Sequence, residues 1–206
     1  MKDLEMASWP SAGFDRRAFL KGSSAAAAAA TALATNDDPA HAAESAPEIV
    51  GRASKLIELK VNGKSHSVRV EPRTTLLDVL RYQLNLTGAK PVSVDGSSGA
   101  STVLVDNKPI AANTTLALDV VGKSIQTVES LGGEKPDAVV KAFVHCDAMQ
   151  CGFCTPGFVV AVRSFLDKNP KATEEEIRQG LNGNLCRCGT YANVVMAAVE
   201  VVKGGK

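Results

Sequence analysis

Two close cysteine pairs in the second half of the chain constrain it more than any other feature. Cys151 and Cys154 are separated by two residues, Cys186 and Cys188 by one, and 31 residues lie between the pairs. Each pair is followed by residues that favour a helix start, so both are predicted to lie at helix N-termini, where unpaired N–H groups stabilise negative charge. Cysteines clustered in this way predict a thiolate-rich metal centre between two helices.

The spacing alone leaves three kinds of site open. A [2Fe–2S] cluster takes four thiolates, and its net negative charge suits two helix N-termini. Zinc also binds paired cysteines, but its usual half-sites have about two to four intervening residues. Disulfides between cysteines two positions apart are strained. The spacing favours the iron–sulfur cluster over zinc, and zinc over disulfides.

Composition excludes several function classes. The net charge is +1, aromatic residues make up 4% of the chain, and no run of basic residues occurs, so a nucleic-acid partner is not expected. Five cysteines are too few for a disulfide-dense scaffold. No paired nucleophile and base and no phosphate-binding loop is present, so we expect no catalytic residues in this chain itself.

The first 42 residues are predicted to be a twin-arginine signal peptide. Arg16 and Arg17 precede an apolar, alanine-rich run over residues 25–34. That run is too short to anchor the protein permanently in a membrane. A small-x-small sequence ending at Ala42 is the predicted cleavage site. The signal predicts export of the folded protein to the periplasm, with no membrane span after its removal.

Residues 53–121 read as a β-grasp, ferredoxin-like domain. Residues 56–61 alternate between apolar and polar, and Asn62-Gly63 predicts a hairpin turn into a return strand. Thr75 can cap a short helix. A further strand is expected over residues 102–105.

Residues 122–136 read as a linker and residues 137–206 as a small helical domain. Asp137 opens the first helix. Thr155 is expected to cap the second, with Pro156 at its first position, and Thr173 to open a capping box. The fourth helix begins near Tyr191. The predicted fold class is therefore α+β, with a β-grasp domain followed by a four-helix domain.

The cysteine-containing segments 150–157 and 183–188 resemble the signature of the iron–sulfur subunits of the xanthine oxidase and aldehyde oxidoreductase family, which are molybdenum hydroxylases. The resemblance extends from about Leu56 to Val202. It implies a [2Fe–2S] cluster in the helical domain, near a molybdopterin cofactor that a separate large subunit carries. It also implies that Gln150 contacts this pterin, and that the cluster ligands are Cys151, Cys154, Cys186 and Cys188.

The chain departs from that family in the β-grasp domain. Relatives carry a second, plant-type cluster there, and the resemblance places its four ligand positions at Ser93, Ser98, Ser101 and Asn113. Hydroxyl and amide groups are poor substitutes for soft thiolates on iron. We therefore expect one cluster per chain, and the segment from Gly88 to Ser101 is predicted to be an ordinary surface loop.

The resemblance predicts an electron-transfer subunit of a periplasmic molybdopterin-dependent aldehyde or N-heterocycle dehydrogenase or hydroxylase. Its expected partners are the molybdopterin-binding large subunit and a cytochrome or flavin subunit that accepts electrons. The alternative is a non-redox assembly or docking subunit that binds zinc or no metal. Of the remaining residues, Cys146 is expected to be a small buried apolar residue, His145 a surface or capping residue, and Phe153 and Tyr191 core residues.

Overall fold

The computed structural model describes residues 51–204, so the predicted signal peptide over residues 1–42 lies outside the described residues. The strands and helices follow one another in the order β1 (Lys55–Val61), β2 (Lys64–Val70), α1 (Leu76–Asp78), β3 (Thr102–Val105), β4 (Lys108–Ala111), β5 (Ser124–Gln126), α2 (Ala138–His145), α3 (Thr155–Lys168), α4 (Glu174–Gly180) and α5 (Tyr191–Val202). The predicted α+β class is confirmed. No helix in this described part is long and apolar enough to cross a membrane.

The hairpin of β1 and β2 forms where the sequence predicts it. Asn62 and Gly63 have φ angles of 50° and 78°, the left-handed conformation that a two-residue hairpin turn needs. The strands pair antiparallel from Lys55 opposite Val70 to Val61 opposite Lys64. Alternate residues of β1 are buried, as the period-2 pattern predicts.

The sheet extends beyond the predicted end of the β-grasp segment at residue 121. Its strand order is β2-β1-β5-β3-β4, with β5 parallel to β1 and antiparallel to β3. Strand β5 therefore lies within the predicted linker over residues 122–136. Three residues are too short to display a period, and burial of the Ile125 side chain between β1 and β3 is a tertiary effect.

A short helix covers the sheet. Thr75 and Asp78 form a capping box at the start of α1, which continues as a π-helical turn over Val79–Gln83. The first hydrophobic core joins this helix to the strands and includes Leu59, Val61, Val70, Leu76, Val79, Leu80, Val103 and Ile125.

Helices α2 to α5 surround a second hydrophobic core. Asp137 caps α2 by accepting a hydrogen bond from the Val139 N–H at 2.8 Å, and Thr173 opens a capping box with Glu176, both as predicted. The core includes Val139, Phe143, Phe158, Val162, Leu166, Ile177, Val194 and Ala198. Helix α3 also packs against β3 and β4, so this bundle and the sheet are in direct contact.

Two helix boundaries differ from the prediction. The N-cap of α3 is Cys154, and Thr155 is the first helical residue. Helix α4 ends at Gly180, before the predicted Asn182-Gly183. The first difference matters for the site, because it places a candidate ligand directly at the helix N-terminus.

Candidate iron–sulfur site

The two cysteine pairs lie in the turns that precede α3 and α5. Cys154 is the N-cap of α3, and Cys188 lies two residues before Thr190, the N-cap of α5. All five cysteines of the chain are free thiols. Cys186 is buried and Cys154 is half-buried, whereas Cys151 and Cys188 are exposed. Each pair therefore contributes one inner and one surface sulfur.

The two inner thiols lie close enough for each to shift the pKa of the other. Burial opposes ionisation of Cys186, but hydrogen bonds from the side chain and backbone of Thr190 lower its pKa to about 7. Burial and the neighbouring Cys186 raise the pKa of Cys154 to about 12. Of the two thiols, Cys186 is therefore the one whose surroundings favour ionisation.

Residues at the start of α5 fix the position of Cys186. Its sulfur lies 3.1 Å from Thr190 Oγ1, and its backbone N–H donates to the Tyr191 hydroxyl at 2.8 Å. The Tyr191 ring packs edge-on against Phe158, with ring centroids 6.1 Å apart. Sequence reasoning missed this positioning role. It placed Tyr191 in the core, whereas the side chain is partly exposed.

The segment that leads to Cys186 rests on the β-grasp loop. The Leu185 N–H donates to Ser98 O at 2.9 Å, and Asn184 Nδ2 donates to Gly99 O at 2.9 Å. Asn184 is buried, so this second bond lies away from solvent. No sequence signal pointed to these contacts, because the partners are about 85 positions apart.

Two glycines permit this close approach. Gly99 has φ +67°, and a Cβ there would lie 2.4 Å from Gly183 O. A Cβ on Gly157 in α3 would lie 2.4 Å from Gly99 O. Ala100 and Ser101 of the same loop are buried. The prediction of an ordinary surface loop over Gly88 to Ser101 is therefore wrong, because part of the loop packs against the turn that carries Cys186 and Cys188.

The four residues at the family's plant-type ligand positions do come together, but through hydrogen bonds. Ser93 Oγ donates to Ser98 Oγ at 3.0 Å, and Ser101 Oγ donates to Asn113 Oδ1 at 2.5 Å. Asn113 Nδ2 donates to the carbonyl oxygens of Ser93 at 2.8 Å and of Val94 at 3.0 Å. This polar network links all four positions without a metal ligand of thiolate type.

Gln150 lies on the surface next to Cys151. Exposed apolar side chains flank the cysteines in the chain, namely Met149, Phe153 and Leu185. Phe153 was predicted to be core, but its ring is about half exposed and lies under the ammonium of Lys90, 5.9 Å from the ring centroid. The exposed cysteines thus open onto a partly apolar surface.

Cys146 and His145 are separate from these two pairs. Cys146 is half-buried, and its thiol donates to Glu200 Oε2 at 3.2 Å, so it is not a purely apolar residue as predicted. Burial, followed by the interaction with Glu200, raises its pKa. His145 lies at the surface, as predicted, and its Nδ1 is 2.8 Å from the same carboxylate oxygen.

The donor set and its surroundings fit a [2Fe–2S] cluster. Four free thiols supply the soft ligands that this cluster takes. The Thr155 hydroxyl, adjacent to Cys154, is buried and has no hydrogen-bond partner among residues 51–204. Such a hydroxyl suits an acceptor-rich sulfide group beside it.

Comparison with known proteins agrees with this geometry. The family model for the [2Fe-2S] binding domain matches residues 127–199. The nicotine 6-hydroxylase small subunit of Paenarthrobacter nicotinovorans is 41% identical over 144 residues, which cover 70% of this chain and 87% of that protein. The aldehyde oxidoreductase iron-sulfur-binding subunit PaoA of Escherichia coli K12 is 40% identical over an alignment that covers 92% of this chain and 88% of PaoA.

A solved structure supports the same relationship. The crystal structure of quinoline 2-oxidoreductase from Pseudomonas putida 86 contains a chain with a TM-score of 0.68 and 39% identity, and the match covers 74% of this chain and 98% of that one. These relatives match most of their own length, so the similarity is not confined to the cysteine motifs. The chain belongs to the family of [2Fe–2S]-binding small subunits of molybdenum hydroxylases.

Proposed function

We propose that this chain is the electron-transfer subunit of a periplasmic molybdopterin-dependent aldehyde or N-heterocycle dehydrogenase or hydroxylase, with one [2Fe–2S] cluster on Cys151, Cys154, Cys186 and Cys188. The observation that carries the proposal is the meeting of the two cysteine-bearing turns through Cys154 and Cys186 within a [2Fe–2S] binding domain.

A bound [2Fe–2S] cluster supplies one-electron transfer. The protein's part is to hold the ligands and to control their surroundings. Thr190 favours the thiolate form of Cys186, and Tyr191 holds its backbone N–H. The buried faces of α3 and α5 exclude water from the inner sulfurs, whereas Cys151 and Cys188 face the surface. Electrons therefore have a short route between the site and a partner docked at that surface.

The partner at that surface is the molybdopterin-binding large subunit. Gln150 lies beside the exposed Cys151, where it can hydrogen-bond a pterin presented by the large subunit. Exposed Met149, Phe153 and Leu185 supply apolar contact area around it. The names of the relatives, an aldehyde oxidoreductase, a nicotine hydroxylase and a quinoline oxidoreductase, support an aldehyde or N-heterocycle as substrate of the complex.

The side chains of the β-grasp region favour the proposal that each chain holds a single cluster, in the helical domain. Its four candidate positions are hydroxyl and amide groups that already hydrogen-bond one another. Electron tunnelling weakens steeply with distance, so the acceptor must dock close to the helical-domain cysteines rather than beyond the sheet. A cytochrome or a flavin subunit with its redox group near that site fits this requirement.

The proposal of a periplasmic location rests on the sequence of the N-terminal segment. Arg16-Arg17 and the apolar run over residues 25–34 match a twin-arginine signal. The match to PaoA covers 92% of this chain, so it extends into the first 50 residues. Replacing both arginines by lysine should retain the protein in the cytoplasm. Unchanged periplasmic yield would contradict the proposed export route.

Analysis of iron and acid-labile sulfide in the purified protein tests the proposed cofactor. We expect two irons and two sulfides per chain, and one paramagnetic signal after reduction, as a single [2Fe–2S] cluster requires. A colourless protein that contains zinc or no metal would instead favour the assembly or docking subunit. Twice the expected iron, with two paramagnetic signals, would contradict the loss of the second cluster.

A further inference from the structure

A cavity lies where the C-terminal ends of α2 and α5 meet, apart from the four proposed cluster ligands. Its volume is about 530 Å³, and its lining includes His145, Cys146, Glu174, Met196, Glu200 and Lys203. His145 is the last residue of α2, Cys146 caps that helix, and Glu200 lies in the last turn of α5. Nothing in the proposed electron-transfer function uses these side chains.

Three of these side chains present donor atoms of different chemistry to one another. A ring nitrogen of His145, the sulfur of Cys146 and a carboxylate oxygen of Glu200 all lie within 4.8 Å of one another. His145 Nδ1 is 2.8 Å and Cys146 Sγ is 3.2 Å from the same Glu200 oxygen. Three ligands at such separations can contact one ion without a large rearrangement of the backbone.

We propose that His145, Cys146 and Glu200 form a second metal site that binds Zn²⁺. Zinc accepts nitrogen, sulfur and oxygen ligands together, and three protein ligands leave a fourth position for water or for a side chain of a partner. Mixed ligands of this kind suit zinc better than Mg²⁺ or Ca²⁺, which take oxygen ligands.

The charge of the surroundings also favours a cation. Helices α2 and α5 both end at this cavity, and the C-terminal end of a helix carries partial negative charge. One thiolate and one carboxylate balance the two charges of Zn²⁺. Lys203 lines the cavity and is an exposed residue, so its ammonium can turn toward solvent when the ion is bound.

The proposed zinc site would link two helices of the bundle. Ligands on α2 and α5 are 54 to 55 positions apart, so a shared ion cross-links the ends of these helices. A ligand that binds only the folded protein stabilises it. Zinc should therefore raise the unfolding temperature of the chain while leaving its cluster in place.

Zinc titration of the cluster-loaded protein, after dialysis against a chelator, tests the proposal. We expect a single zinc per chain by calorimetry, with unchanged iron content and visible absorbance. X-ray absorption at the zinc edge should show one sulfur ligand among nitrogen and oxygen ligands. Cys146→Ser and Glu200→Gln should each lower the affinity for zinc at least about tenfold. His66→Gln removes a histidine in β2 that lies outside the cavity, and it should leave the affinity unchanged.

Two results would overturn the proposal. One is the absence of zinc binding by the wild-type protein, or equal binding by wild type and Cys146→Ser. The other is a sulfur-rich zinc environment accompanied by loss of iron, which would place zinc on the cluster cysteines. Iron content and the visible spectrum report separately on the proposed cluster, so failure of the zinc site leaves that assignment independent.

Discussion

The two regions of this protein that match cluster-binding positions differ in the chemistry of their side chains. In the helical part, Cys151, Cys154, Cys186 and Cys188 are free thiols, and Thr190 assists ionisation of Cys186. In the β-grasp part, the hydroxyl and amide groups of Ser93, Ser98, Ser101 and Asn113 hydrogen-bond one another. Hydroxyl and amide groups can hold a loop together by hydrogen bonds alone, whereas soft thiol ligands are stabilised most by binding a metal. The hydrogen bonds can therefore hold this loop in shape without a metal.

Hydrogen bonds also connect these two regions. Ser98 and Gly99 accept hydrogen bonds from the segment that leads to Cys186. The β-grasp loop therefore supports the turn of the second cysteine pair. One loop can therefore perform two separate tasks, which are binding a metal and supporting a neighbouring turn.

Replacing Cys186 by serine should have the largest effect. The variant loses a proposed soft ligand, so we expect loss of nearly all visible absorbance and iron, together with a lower unfolding temperature, because metal binding and folding are linked. Cys146→Ser is the matched control, since Cys146 lies outside the two pairs, and its absorbance should equal that of the wild type. Full colour in Cys186→Ser would contradict the ligand assignment.

Placing thiols at the four β-grasp positions should remove the difference in metal binding between the two regions. A variant with Ser93→Cys, Ser98→Cys, Ser101→Cys and Asn113→Cys places thiols at four positions that the hydrogen bonds already bring together. We expect the iron content per chain to double and a second paramagnetic signal to appear on reduction. A variant with only the first three changes lacks one ligand and serves as the control. Unchanged iron in the fourfold variant would show that the loop has lost more than its ligands.

Gly99→Ala should weaken the contact between the two regions. The new Cβ would meet Gly183 O at 2.4 Å in a backbone conformation with positive φ. We expect a loss of about 2–4 kcal/mol in the free energy of unfolding, from overpacking and backbone strain together. Gly122→Ala shares the positive φ, but its Cβ meets nothing within 4 Å, so it should cost only about 1–2 kcal/mol. Equal losses, measured by denaturant unfolding, would mean that the contact contributes nothing.

Asn113→Ala should have a smaller effect, confined to the polar network. It removes the acceptor of the buried Ser101 hydroxyl and two donated hydrogen bonds. We expect a loss of about 1–3 kcal/mol in the free energy of unfolding with full retention of colour. Asn169→Ala removes one exposed hydrogen bond, to Phe165 O, and should cost less than about 0.5–1 kcal/mol. Loss of iron in Asn113→Ala would indicate that this loop still contributes to the metal content.

Much of the fold could be predicted because its signals are local. The Asn62-Gly63 turn, the capping boxes at Thr75 and Thr173 and the cap at Asp137 each depend on residues within a few positions. The cap of α3 was predicted one residue too late, since Thr155 is a common capping residue and Cys154 is not. Tyr191 was assigned to the core, whereas its side chain is partly exposed and its hydroxyl accepts a hydrogen bond from the Cys186 backbone N–H.

The sequence by itself determined the cysteine spacing, the absence of thiols from the β-grasp domain and the boundaries of most helices, because these depend on residue identity and short-range pattern. Only the tertiary structure decided that β5 joins the sheet, that Cys154 meets Cys186, and that Gly99 lies against Gly183. It also decided that His145 and Cys146 face Glu200. These contacts join residues that are distant in the chain, and they follow from how the sheet and helices pack rather than from any periodicity in the sequence.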